Sequence, residues 1–507
     1  MTDPTDAVAS ALADHAPALA FGVCGGGRSF DLAVALESRG VSFLSVGHEA
    51  AGALMAGGAA FAGALGVSIS IKGPGLANSL PGIIHNRMER LPTVSISEAF
   101  DASAGSERQH KRADHRALIA GADVRYANLG ALDFIGALMH QSHSEPRRPI
   151  HLDLADGAGE WSQDNAPAIA RSDAGDVDAL MRGAERPILV VGALALRRGW
   201  GPVLARTGLP ILTTVAAKGL VDEADPNCAG VVTGTGGELA PEVALLAEAD
   251  LMVGIALRSE ELIAPLHQPP VAAYLDEVDA IRPSPGPARS IESSADLADV
   301  LDMLAGRGWA TDLISSCVHA ARQSLLADRW APASVFEVLD RTLGDHALVC
   351  DTGDFCTAAE HIWMAGPGRE FVASANSRFM GSALPMAIGY SLSEPERQVV
   401  CAVGDGGICS FPLELRHLAD LGLKICVLVM RDGQYTSVLR PRGSRPASVV
   451  ATPSHSWASF AEVLGIRGEV ARGVGELGRS LASWKKGPLL IEVALPAEAP
   501  HGLTRIR

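Results

Sequence analysis

The sequence predicts an α/β protein built from three doubly wound parallel-sheet domains, and three observations carry that expectation. A chain of 507 residues exceeds one hydrophobic core and suits about three domains of ordinary size. With 48% of residues apolar and 20% charged, each domain has the material to bury a substantial core. Apolar, strand-like runs alternate with helix-patterned segments throughout, the order expected of parallel strands joined by crossover helices.

The first domain is expected over 1–170, with strands at Ala20–Val23, Ser42–Val46, Val67–Ile71, Thr93–Ser97 and Ile150–Leu154. The long uncharged stretch Ala51–Ile71 has the length of a membrane span. It is rich in Gly and Ala and turns to alternation at Val67–Ile71, so it reads as a small-residue helix running into a strand. Polar Trp161–Asp176 reads as a linker. The second domain, 178–305, has strands at Pro187–Gly192, Pro210–Thr214 and Leu251–Ile255; its turn Gly192-Ala193-Leu194 is too poor in glycine for a dinucleotide fingerprint. Pro283–Pro287 is a second linker-like segment, and Gly306–Trp330 reads as mostly helical. The third domain, 331–507, closes on the strand Leu489–Leu495 and matches the first in size and pattern.

A net charge of −16 with no basic run argues against a nucleic-acid partner. The eight cysteines are scattered without a CxxC pair, several in apolar runs, where cysteine acts as a small buried hydrophobe. The start, MTDPTDAVASALADHA, is acidic and lacks a basic leader region. These features together read as a reduced, cytoplasmic protein with no membrane partner.

The densest chemistry lies in Val399–Thr436. The apolar run Val399–Val403 ends in Gly404-Asp405-Gly406-Gly407, and a second run, Lys424–Met430, ends in Arg431-Asp432-Gly433. If the two runs are neighbouring parallel strands, Asp405 and Asp432 meet at the carboxyl edge where α/β sheets bind ligands. Two hard oxygen ligands beside glycine amides and a helix start suit Mg2+ plus a diphosphate; a solvated Asp-Gly turn is the plainer reading. Farther upstream, Gly47-His48-Glu49 follows a strand and opens an Ala/Gly-rich helix, and Lys72-Gly73-Pro74-Gly75-Leu76-Ala77-Asn78 opens another. Glu49 there is either a functional acid or a first-turn carboxylate favoured by the helix dipole.

Taken in order, these segments resemble the thiamine diphosphate (ThDP) enzymes: the acetolactate synthase, benzoylformate decarboxylase and pyruvate decarboxylase superfamily. Phe21-Gly22-Val23-Cys24-Gly25-Gly26, His48-Glu49 and Gly73-Pro74-Gly75-Leu76-Ala77-Asn78 are similar to its pyrimidine-binding domain. Ala217-Lys218-Gly219-Leu220 and Asp250–Gly254 are similar to the central domain of acetolactate synthases. Ser377-Arg378-Phe379-Met380-Gly381, the GDG motif and Gly433-Gln434-Tyr435 are similar to the diphosphate-binding domain. The resemblance implies ThDP and Mg2+ as cofactors and leaves open FAD in the central domain. It implies Glu49 as the catalytic acid at the pyrimidine ring, with its pKa raised by an apolar pocket. The cofactor contacts it implies are Gly404, Asp405, Gly406, Gly407, Met380, Arg378, Gly75, Asn78 and Tyr435, and the metal ligands Asp405, Asp432 and Gln434. It further implies a site shared between two subunits of a homodimer or homotetramer.

Three positions depart from the family pattern. The usual metal-binding Asn is Asp432, which adds a negative charge beside a diphosphate; Lys72 replaces a small residue, and Arg378 a glycine. Candidate substrate contacts are Lys72, His110, Lys111, Gly26 and Val438. Val438 is apolar where pyruvate decarboxylases carry a glutamate. The expected activity is decarboxylation of a 2-oxo acid, with or without ligation to an acceptor carbonyl. The alternatives are a decarboxylase of an anionic 2-oxo acid of the sulfopyruvate or phosphonopyruvate type, or a non-catalytic subunit with weakened cofactor binding.

Overall fold

The computed structural model describes residues 4–15, 17, 19–101, 105, 110–129, 136, 140, 142–155, 172–266, 268–278, 280–439, 447–452 and 455–496. Most of the expected linker Trp161–Asp176 lies outside these residues.

Three six-stranded, all-parallel sheets make up the described chain. The first holds β1 (Leu19–Val23), β2 (Ser42–Ser45), β3 (Gly66–Ser70), β4 (Thr93–Glu98), β5 (Arg125–Asn128) and β6 (Ile150–Leu154). The second holds β7 (Pro187–Val191), β8 (Ile211–Thr214), β9 (Cys228–Val232), β10 (Leu251–Ile255), β11 (Val271–Asp276) and β12 (Ala288–Ser290). The third holds β13 (Ala347–Cys350), β14 (Phe371–Ala373), β15 (Val399–Gly404), β16 (Ile425–Arg431), β17 (Arg467–Ala471) and β18 (Leu489–Ala494). Central strands such as β3, β7 and β10 are buried along their whole length, as parallel strands covered on both faces must be.

The first and third sheets share one strand order, β2-β1-β3-β4-β6-β5 and β14-β13-β15-β16-β18-β17. The second differs, running β12-β11-β10-β7-β8-β9. One expectation is corrected: Ala174–Asp176, assigned to a linker for their polarity, begin the helix Ala174–Gly183, and Asp173 N–H donates to Ala288 O beside β12. Asp176 is exposed to water while the backbone docks on the second sheet.

Helices α1 (Pro4–Ala13), α2 (Arg28–Glu37), α3 (Glu49–Phe61), α4 (Pro74–Met88) and α5 (His115–Gly121) accompany the first sheet. Every residue of α3 from Ala50 to Ala60 is buried. It crosses the helix Ala383–Ser393 of the third sheet in one continuous core containing Leu54, Met55, Met386 and Tyr390. The crossing is at backbone distance: a side-chain carbon on Gly58 would lie 2.1 Å from Met386 O, and one on Gly389 1.8 Å from Met55 O. The Ala/Gly richness of Ala51–Ile71 is thus the requirement of a tight helix crossing. Among the described residues, no helix is long and apolar enough to cross a membrane.

Candidate active site

Two clusters occupy carboxyl edges of the first and third sheets. In the first, β2 ends at Ser45 and His48 caps α3, its Nδ1 accepting from Ala50 N–H at 3.1 Å. Glu49 is therefore the first helical residue, half-buried, where the helix dipole favours a carboxylate. Asn78 Nδ2 donates to Glu49 Oε2 at 3.1 Å. Gly75 leaves the room this requires, since a side-chain carbon there would lie 2.7 Å from Ile71 and 3.6 Å from Glu49 Oε1.

The turn carrying Gly75 is held by groups that motif reasoning missed. Gly73, at φ +65°, donates its N–H to His115 Nε2 at 2.9 Å. An accepting Nε2 puts the ring proton on Nδ1, which donates to Asp153 Oδ1 at 2.7 Å. Asp153 also accepts from His151 Nε2 at 3.1 Å and from Tyr126 OH at 2.7 Å. Burial alone would raise its pKa, but the hydrogen bonds from both histidines hold it well below the usual carboxylate range. His115, His151 and Asp153 are close enough to hold a metal ion. His115 Nε2, however, is taken by Gly73, and His151 Nδ1 pairs with Ser95 Oγ at 2.9 Å. The network is a closed hydrogen-bond relay.

In the second cluster, β15 and β16 are adjacent and parallel, with Gly404 opposite Met430. Asp405 and Asp432 therefore emerge together. Asp405 Oδ2 accepts from Gly433 N–H at 3.0 Å and Thr452 Oγ1 at 2.8 Å. Asp432 accepts from Gln434 N–H at 3.1 Å and from the Thr436 hydroxyl. The cleft they line also includes Asp354, Met380, Gly404, Gly406, Gly407, Gln434 and Tyr435. Burial, then the Asp432 charge, push the Asp405 carboxyl up; burial, then Asp354, do the same to Asp432.

Among the described residues, three carboxylates and no cation line this cleft, a donor set that fits a divalent metal. The glycines keep the wall thin: a side-chain carbon on Gly406 would lie 2.3 Å from the Tyr435 ring, and one on Gly407 2.2 Å from Asp351 Oδ2. The helix Asp354–Ile362 also starts at the cleft, where its N-terminal amides favour an anion. The cleft thus fits Mg2+ with a diphosphate.

Met380 is 41% exposed at the cleft. Arg378, at φ +50°, turns its guanidinium to Glu360 at 3.2 Å. The loop bearing both is bound to α4, because buried Glu89 accepts from Asn376 and Ser377 N–H at 3.0 and 2.8 Å. Gly47 N–H donates to Glu414 Oε1 at 2.8 Å, and the His48 ring packs 5.7 Å from Phe411. These contacts seat the start of α3 on the third sheet's segment beyond the GDG turn. Glu49 is nevertheless not among the residues lining the Asp405–Asp432 cleft. The two clusters do not share one cleft within a chain.

Of the candidate substrate residues, Lys72 pairs with Glu98 at 3.0 Å and sits 5.4 Å from the Phe100 ring centre. His110 and Lys111 are exposed, Gly26 faces open space, and Val438 is 47% exposed.

In the central sheet, strand order reverses between β7 and β10, the crevice where such folds bind dinucleotides. Here it is filled from within. Glu261, buried, accepts from Ala193 N–H and Thr214 Oγ1, both at 2.7 Å. A side-chain carbon on Gly192 would lie 2.2 Å from Ala256 O. An FAD pyrophosphate at this point would have to displace a buried carboxylate of like charge, so this crevice does not fit FAD.

Comparison with known proteins covers most of this architecture. Residues 3–118 match the thiamine pyrophosphate enzyme N-terminal TPP binding domain, 176–277 the central domain, and 351–493 the C-terminal TPP binding domain. Similar curated proteins include the putative acetolactate synthase large subunit IlvB2 of Mycobacterium tuberculosis, 23% identical over 89% of this chain and 90% of that protein. Acetolactate synthase isozyme 2 large subunit of Escherichia coli is 24% identical over 93% and 91%. The probable 2-ketoarginine decarboxylase AruI of Pseudomonas aeruginosa is 26% identical over 81% and 78%.

Proposed function

Because this chain belongs to the thiamine pyrophosphate enzymes, we propose that it is a ThDP- and Mg2+-dependent enzyme that decarboxylates a 2-oxo acid, with or without ligation to a second carbonyl. The observation that carries the reading is the cleft in which Asp405 and Asp432 converge beside Gly404–Gly407. When bound, ThDP supplies a carbon nucleophile and an electron sink for loss of CO2. Asp405, Asp432 and Gln434 would hold the metal, and the amides of Gly404, Gly406 and Gly407 would bind the diphosphate. Met380 supports the cofactor from the cleft wall, and Tyr435 closes over Gly406. Glu49, oriented by Asn78, would be the carboxyl group that pairs with the pyrimidine ring. Since Glu49 lies outside the cleft of its own chain, it serves the cleft of a second copy in a homodimer or a larger homo-oligomer.

The test is titration of the purified protein with ThDP and Mg2+, followed by circular dichroism, and then CO2 release from a panel of 2-oxo acids with and without acceptor aldehydes. A cofactor signal with CO2 release is expected. Asp432, an extra negative charge at the metal, favours a second reading, a ThDP-fold protein that has become a binding subunit. Absence of any cofactor signal would select it.

A further inference from the structure

We infer that Asp351 is a positioning residue for the cofactor: its one buried carboxylate holds the Met380 loop and the Gly404–Gly407 turn against each other, so that the two segments are set as a unit. The inference rests on the reading of the chain as a ThDP enzyme and adds a residue that lies outside the lining of the Asp405–Asp432 cleft. Asp351 directly follows β13 and is wholly buried. Its N–H donates to Ala402 O at 2.9 Å, which continues the pairing of β13 with β15. The carboxylate therefore stands at the sheet's carboxyl edge, beside the strand that leads to Asp405.

On one side the carboxylate fixes the backbone next to Met380. Gly381 N–H donates to both oxygens, at 3.0 and 2.8 Å, and Ser382 Oγ donates to Oδ1 at 3.4 Å. The amides of Thr352, Ser382 and Ala383 bond to it as well. A carboxylate taken fully out of water needs such donors. The start of the helix Ala383–Ser393 supplies them, because first-turn amides have no acceptor within their own helix. Gly381 reaches this place at φ +90°, where a side-chain carbon would lie 2.6 Å from Ser410 Cβ and 2.8 Å from Gly407 O.

On the other side Asp351 meets the GDG turn. A side-chain carbon on Gly407 would lie 2.2 Å from Oδ2, and the next neighbour, Val403 Cγ2, is at 3.3 Å. The carboxylate thus occupies the space that a larger residue at 407 would need. Gly381 and Gly407 pack at contact distance around this one side chain. The helix whose first amides it binds is also the helix that α3 crosses at Gly58 and Gly389, so the same anchor supports the element that opens with Glu49.

A cycle of substitutions tests this in the full chain, with ThDP affinity read by circular-dichroism titration at fixed Mg2+ and kcat by CO2 release at saturating ThDP. Asp351→Ala should weaken ThDP binding about tenfold to a hundredfold and lower kcat as well, because Met380 loses its fixed place. Gly407→Ala should weaken binding in wild type, where the methyl group meets Oδ2. Added to Asp351→Ala, where that space is empty, it should cost no more than about twofold. Equal cost in both backgrounds overturns the inference and leaves the enzymatic reading intact. So does an Asp351→Ala protein with a lowered melting temperature but unchanged ThDP affinity and kcat. If Asp351→Ala does not fold, Asp351→Asn, which keeps one oxygen for Gly381 N–H, carries the measurement: weaker ThDP binding at an unchanged melting temperature supports the inference, and wild-type affinity overturns it. If wild type itself takes up no ThDP, the enzymatic reading fails and hydrogen exchange decides the inference separately. Faster exchange in residues 379–382 and 405–409 together in Asp351→Asn supports the shared anchor, and faster exchange in only one of them overturns it.

Discussion

Mixing two inactive variants tests the shared-site geometry directly. Glu49→Gln removes the acid, and Asp405→Asn removes a metal ligand together with the carboxylate that accepts from Gly433 N–H and Thr452. Each variant alone should lose about a hundredfold to ten-thousandfold in kcat, the usual contribution of a positioned acid-base group. In a mixed dimer, one of the two shared sites carries both substitutions and the other carries neither. Random pairing makes half the dimers mixed, so a co-expressed 1:1 preparation should recover about a quarter of wild-type CO2 release. The structure makes this a sharp expectation, because Glu49 lies outside its own chain's cleft and α3 cannot swing toward it. Gly58 and Gly389 hold α3 against Ala383–Ser393 at backbone contact, and Gly47 is tied to Glu414. Recovery no greater than the sum of the separate variants would place both half-sites in a single chain and refute the argument.

Other consequences follow from particular contacts. Asp432→Asn keeps an oxygen for Gln434 N–H and removes one negative charge at the diphosphate, so ThDP affinity at fixed Mg2+ should rise about tenfold; titration by circular dichroism measures it, and weaker binding would show that the metal needs the second charge. The purified protein should show no flavin absorbance and should not take up added FAD, because Glu261 already occupies the amide of Ala193; a stoichiometric flavin band would contradict this. Gly389→Val should cost about 3 kcal/mol or more, read as a lowered melting temperature, since its first side-chain carbon would overlap Met55 O. Burial raises the Glu89 pKa from 4.5 to about 7. Between those values the folded state holds a proton that the unfolded state has released, so stability falls as pH rises from 4.5 to about 7 and then levels. The loss is about 3 kcal/mol, and comparing denaturant midpoints of Glu89→Gln with wild type across that window isolates it.

The sequence was most readable where a motif reports a local strand-to-helix geometry. The GDG turn, Gly433-Gln434-Tyr435, and the helix opening at Glu49 each need particular residue types at one backbone turn, so their chemistry shows in order and spacing. The small-residue stretch Ala51–Ile71 was readable for the same reason, as α3 running into β3. Strands β5, β12 and β14 left little trace: they are only three or four residues long and become strands by pairing with longer neighbours. His115 and Asp153 gave no signal as a pair, because one opens a helix and the other lies on β6, and only the folded sheet brings them to Gly73.

What the sequence alone determined, then, was the inventory: three parallel α/β layers, a glycine-lined carboxylate turn, and an acid at the head of a buried helix. Tertiary structure decided how those pieces relate. It filled the central crevice with Glu261, turned Arg378 toward Glu360, and left Glu49 outside its own chain's cleft. The physical reason is range. Turn chemistry acts over a few residues and is written locally, whereas burial, charge pairing and the occupancy of a crevice depend on side chains that meet only when distant strands pack together.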